Sequence, residues 1–190
     1  MKKEKRPVVV AIAGVSGGGK TTLAEYLREK LYKSDILYFD DYEFEGPEDI
    51  IDWVDSGADY DKWNLDPFFS NLKRLLNEPL DYIILDYPFA YKHSQMRPFI
   101  DYTVFIDTPL DVAMARRIMR DFKHSTMEEL LADMGNYISR GRRGYVEMLN
   151  TIKPNSDIIV DGTLSVAEIA DEIYGRVMAE HDKDQRKKNS

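Results

Sequence analysis

The chain has 190 residues, 43% of them hydrophobic and 32% charged, with a formal net charge of −8 and no cysteine. That length suits one α/β domain, and the balance suits a packed globular protein, not a disordered one. The missing thiols exclude disulfides and cysteine ligands or nucleophiles, and the acidic balance disfavours nucleic acid as a partner.

The basic start, Met1-Lys-Lys-Glu-Lys-Arg-Pro7, precedes only a short apolar stretch, too short for a secretory signal. No apolar run nears the roughly 20 residues that span a bilayer. Residues 1–7 are therefore expected to be a flexible start, with no membrane partner and the cytoplasm as the default compartment. Residues 8–13 are continuously apolar and β-branched, as in a parallel strand buried on both faces. Leu23, Leu27 and Leu31 fall four apart, with Ala24 beside them, and predict a helix over 20–33 with one buried stripe. Residues 36–39 form a second strand ending at Asp40 and Asp41. Residues 42–65 are acidic, aromatic and loop-rich, with one short helix over 48–54. A helix over 68–76 precedes a third strand, 82–85, which ends at Asp86, and a fourth, 102–106.

Thr108 suits the N-cap of the next helix and Pro109 its first position. Residues 127–149 are helical with an interruption near 141–144, and 157–160 is a fifth strand. Ser165 and Glu168 have capping-box spacing, with Val166, Ile169, Ala170, Ile173 and Val177 as the buried face behind them. Residues 181–190 read as a flexible tail. Alternating strands and helices predict a single α/β domain over 8–180, with a five-stranded parallel sheet and helices on both faces.

Gly14-Val-Ser-Gly-Gly-Gly-Lys-Thr21 fits G-x-x-x-x-G-K-[ST] at every fixed position, between a buried strand and an amphipathic helix. The glycines Gly14, Gly17, Gly18 and Gly19 admit a backbone whose N–H groups point inward at phosphate oxygens, and the helix N-terminus adds positive potential. Ser16 and Thr22 flank the cradle. Lys20 is placed to reach the terminal phosphates and Thr21 to ligate Mg²⁺. This pattern alone says nucleoside triphosphate.

Ligands of open parallel sheets bind at the strands' carboxyl ends, where Asp40, Asp41 and Asp86 lie. A kinase needs a carboxylate to orient its acceptor hydroxyl, and a P-loop enzyme needs one near its metal. Asp40 or Asp41 is the candidate base, with Asp40 and Asp86 as candidates beside Mg²⁺. Arg116, Arg117 and Arg120 share helix faces and would repel one another unless an anion meets them, so phosphate contact is expected. Arg140, Arg142 and Arg143 form a second cluster that serves the same site or simply faces water. Tyr42, Trp63 and Tyr87 are candidate walls of an acceptor pocket. His93, His124 and His181 show no metal-ligand spacing.

Together these segments resemble the uridine kinase and nicotinamide riboside kinase group of P-loop kinases. They are residues 14–24, Phe39-Asp-Asp-Tyr42, 60–67, Ile84-Leu-Asp86, Ala115-Arg-Arg-Ile-Met-Arg-Asp121 and Val160-Asp-Gly-Thr163, in the family's order. The resemblance implies a three-layer P-loop NTPase fold with a helical lid over about 116–145. It implies ATP and Mg²⁺ as cofactors and a nucleoside-like alcohol as acceptor. It makes Asp40 the ribose-contacting base, Asp41 a second acid, the three arginines lid groups on phosphate, and Asp161 and Gly162 part of the loop near adenine. Asp86-Tyr87 stands where the family commonly has Glu-Gly, and Phe122-Lys-His-Ser-Thr126 replaces a second arginine-rich run.

A regulatory ATPase or GTPase is the first rival, but no guanine-reading Asn-Lys-x-Asp run is present. A non-catalytic nucleotide-binding module is the second, and a kinase of a non-nucleoside alcohol, such as pantothenate or a sugar, the third. The composition leaves self-association open.

Overall fold

The computed structural model describes residues 6–188, with side chains described to Val177. Its five strands are β1 (Val8–Ala13), β2 (Ser34–Tyr38), β3 (Tyr82–Asp86), β4 (Tyr102–Asp107) and β5 (Ile158–Asp161). All pair in parallel in the order β2-β3-β1-β4-β5. Period-two alternation splits β1 to β4 between two cores, whereas β5 buries only one face. Val9, Ala11, Ile83, Leu85 and Phe105 face one core, and Val10, Ile12, Ile84, Val104 and Ile106 the other. Burial on both faces explains why the strands read as unbroken apolar runs.

The first core is closed by α2 (Ile50–Asp55) and α3 (Asp66–Leu75), the second by α1 (Lys20–Lys30) and α7 (Val166–Lys188). α4 (Leu110–Asp121), α5 (Met127–Asn136) and α6 (Arg142–Glu147) form the lid side. This is the three-layer P-loop NTPase fold that the sequence implied. No helix among the described residues is long and apolar enough to cross a membrane.

Three local expectations are corrected. Thr108 does not cap α4. Its buried hydroxyl donates instead to the Gly18 carbonyl at 2.9 Å, and the cap position falls on Pro109. The helix after Thr126 is not broken at its glycines. It loosens into π turns over Tyr137–Gly141 and Met148–Ile152 on either side of α6. The last helix continues to Lys188, past the expected boundary at 180. The expected capping box at Ser165 and Glu168 forms. Of the expected flexible start, residues 1–5 lie outside the described residues. Arg6 pairs with Asp101, whose other bond holds the Val9 amide.

Candidate active site

Parallel register brings the acids to the phosphate loop. Ile12 of β1 and Tyr38 of β2 both pair with Asp86 of β3. The loop leaves β1 at Gly14, so Asp86 stands between it and the Phe39–Asp41 turn that follows β2. Thr21 Oγ1 donates to Asp86 Oδ2 at 2.6 Å. Burial raises the Asp86 carboxyl above the ordinary carboxylate range, against the pull of Lys20 and the Thr21 bond. Burial likewise lowers the Lys20 ammonium, although Asp86 and Asp40 oppose the shift. Asp40 is exposed and its charge acts on Lys20, Asp86 and Arg120, whereas Asp41 acts on Tyr38.

The loop itself is tightly built. Gly17 has φ +78°, and a Cβ there would lie 2.1 Å from the Ala113 carbonyl oxygen of α4. Gly17→Ala is therefore expected to push loop and lid apart. The left-handed backbone alone costs about 1–2 kcal/mol, so melting should fall by more than about 2 °C and Mg·ATP should no longer raise it. Gly19→Ala is the comparison: its φ is +101°, but a Cβ there meets nothing within 4 Å. Equal losses in a thermal melt would show that the Ala113 contact does not matter.

The three lid arginines separate. Arg116 Nη1 donates to the Gly162 carbonyl at 3.0 Å, lining with Gly18, Gly19, Thr22 and Leu164 a cavity of about 220 Å³ behind the loop. Asp161 turns away, exposed and held low by Thr163. Arg117 packs on Gly17 and pairs with Asp133 of α5. Arg120 pairs with Asp121 and reaches Ser16 Oγ at 3.5 Å. Arg140 and Arg143 of the second cluster pair with Asp49 and Asp55 at the two ends of α2.

The expected acceptor wall is not open. Tyr87 is fully buried, its ring stacked on Phe68 with centroids 5.7 Å apart, because strand alternation puts it on the Ile83 and Leu85 face. Its hydroxyl has no partner among the described residues. Tyr42 packs on Phe44 and Phe68 and accepts from Asn71 at 2.7 Å. Trp63 covers Gly46 and lies 5.6 Å from Phe89. The open space lies elsewhere. A cavity of about 500 Å³ between α2 and the lid is lined by Glu48, Asp49, Ile51, Arg117, Asp133, Tyr137 and Tyr145, among others. Burial raises the Tyr145 hydroxyl above its ordinary value. No motif marked Asp133, Tyr137 or Tyr145. The available signal was the i,i+4 spacing of Asp133 and Tyr137, which puts both on one helical face.

Among the described residues no three His, Asp or Glu side chains converge as a metal site. One hydroxyl and one buried carboxylate, Thr21 and Asp86, fit a hard cation that keeps most of its ligands from phosphate and water, as Mg²⁺ does.

Strand, glycine loop, lysine, threonine and strand-end acid make this the phosphate site of a P-loop NTPase. No family model matches the chain. It is 29% identical over 196 residues to the uridine kinase of Leuconostoc citreum, with 86% of each chain covered. Solved structures with a similar fold include a gluconokinase from Sinorhizobium meliloti, at TM-score 0.56 and 20% identity, covering 95% of this chain and 99% of that one. A deoxyadenosine kinase from M. mycoides aligns at TM-score 0.53 and 19% identity, covering 90% and 100%. The chain is thus similar over most of its length to uridine kinases and shares the fold of P-loop kinases, and these likenesses support an ATP-dependent phosphotransferase acting on a hydroxyl.

Proposed function

We propose that the acceptor is a nucleoside or nucleoside-like metabolite and that Asp40 is the base. The observation that carries the reading is the mutual placement of Asp40, Lys20, Asp86 and Arg120 beside the loop. The Asp40 carboxylate orients the acceptor hydroxyl and takes its proton as the oxygen–phosphorus bond forms and the bond to the ADP oxygen breaks. Lys20 and Arg120 offset the charge that grows on the transferred group and the leaving oxygen. Loop amides hold the phosphates, and Arg116 and Gly162 border the space for the donor's base. Thr21 and Asp86 would hold Mg²⁺, which supplies charge neutralisation on the phosphate oxygens when bound.

The uridine kinase relatives support a nucleoside over a sugar, since the likeness to the gluconokinase is one of fold. The test is acceptor-dependent ADP release with Mg·ATP and a panel of ribonucleosides, nicotinamide riboside, pantothenate and sugar alcohols. Low release alone and turnover with at least one ribonucleoside is expected. Release that no acceptor stimulates would mark a hydrolase, and stimulation only by pantothenate or a sugar alcohol would move the enzyme to another acceptor class.

A further inference from the structure

We infer that the ring of the acceptor binds in the lid cavity against Tyr137 and Tyr145, and that Tyr137 determines specificity for a planar-ringed acceptor. This rests on the nucleoside reading above and says where and how that reading is enforced. The space of about 500 Å³ lies within the roughly 300–1,000 Å³ of small-molecule sites. It borders the phosphate loop, because Arg117 on its wall packs on Gly17. An occupant can thus meet the aromatic wall at one end and the phosphate loop at the other.

The wall is built for a flat ligand. Tyr137 and Tyr145 meet edge to face, with centroids 5.2 Å apart and planes at 87°, an arrangement that leaves ring face for a third aromatic group. Tyr137 opens the π turn Tyr137–Gly141, a distortion that costs helix geometry and recurs at functional sites. Of the alternative wall, Tyr87 is fully buried, and Tyr42 and Trp63 are half-buried against the same core.

One polar group remains unused there. Arg117 Nε is buried with no partner among the described residues. A donor left over in a cavity suits a ligand bearing hydroxyls or carbonyls.

The experiment measures steady-state kinetics of the full chain with uridine as probe acceptor, beside Tyr137→Phe and Tyr137→Leu. The phenylalanine variant should keep the uridine KM within about threefold, since the ring face remains. The leucine variant should raise it roughly 5- to 100-fold, the size of one lost stacking surface, with the ATP KM unchanged.

An unchanged uridine KM in Tyr137→Leu, or an equal rise in the ATP KM, would place the ring elsewhere and overturn the inference. A parent enzyme that turns over no ribonucleoside would instead defeat the nucleoside reading itself. If the leucine variant melts early, the parent protein decides. Irradiated 5-iodouridine should attach to the peptide carrying Tyr137 or Tyr145, and attachment near Tyr42, Trp63 or Tyr87 would sink the proposal.

Discussion

Asp40→Asn is expected to lower kcat by roughly 10²- to 10⁴-fold, the range lost with a positioned general base, while Asp41→Asn stays within about threefold of the parent. The two acids are neighbours in sequence, yet their charges act on different groups. Asp40 acts on Lys20, Asp86 and Arg120, and Asp41 acts on Tyr38. The 3₁₀ turn Phe39–Asp41 separates them, since adjacent residues on a tight turn point in different directions. Asparagine keeps the size of the side chain and its hydrogen bonding but cannot take a proton. The ATP KM should change little, because the loop and Lys20 are untouched. Asp40 is exposed, so melting should not fall, and a low rate would not be an unfolding artefact. Rates measured under saturating uridine decide the matter. Loss confined to Asp41→Asn would exchange the roles of the two acids, and full activity in both would put the base outside this turn.

What the sequence carried, and what it could not, follows from the range of each interaction. The strands and the phosphate loop are local signals: buried β-branched runs, glycines at set spacing, and a lysine that opens a helix. The strand-end position of Asp86 follows from the run before it. The side it faces follows from counting in twos from Ile84 and Asp86, and the same count puts Tyr87 inside. Taking Tyr87 as a pocket wall gave its aromatic chemistry more weight than its parity. The lid was harder. Arg140 and Asp49 are 91 positions apart, and Arg143 and Asp55 are 88 apart, so an arginine cluster in the sequence does not reveal that α2 carries its partners. The π turns are also invisible to periodicity, since one extra residue per turn resembles the scatter of any real helix. Thr108 illustrates a third kind of miss. Its position is a capping position by propensity, but a buried carbonyl of the phosphate loop competes for the same hydroxyl and wins.

Lys20→Met is expected to lower the rate by roughly 10²- to 10³-fold, as when one preorganised charge-stabilising donor is removed, and yet to raise the melting temperature of the ligand-free protein. Burial lowers the Lys20 ammonium even with Asp86 and Asp40 opposing it. A lysine whose folded value lies below its ordinary 10.5 favours the fold in its neutral form. That contribution is present above the ordinary value and is lost as pH falls through the folded one, so at neutral pH the charged group is a burden on the empty fold. Methionine keeps much of the stem and removes the charge. The gain over the parent should therefore shrink as pH rises toward 10. With Mg·ATP the order reverses. The parent gains stability in proportion to the logarithm of ligand over Kd, whereas Lys20→Met loses the ammonium that meets the terminal phosphates and should gain little. Thermal melts of both proteins across pH, with and without Mg·ATP, read all of this. A ligand-free Lys20→Met that melts below the parent at neutral pH would mean that attraction from Asp86 and Asp40 outweighs the desolvation of Lys20. In that case the phosphate site is stabilised before its ligand arrives, not strained by waiting for it.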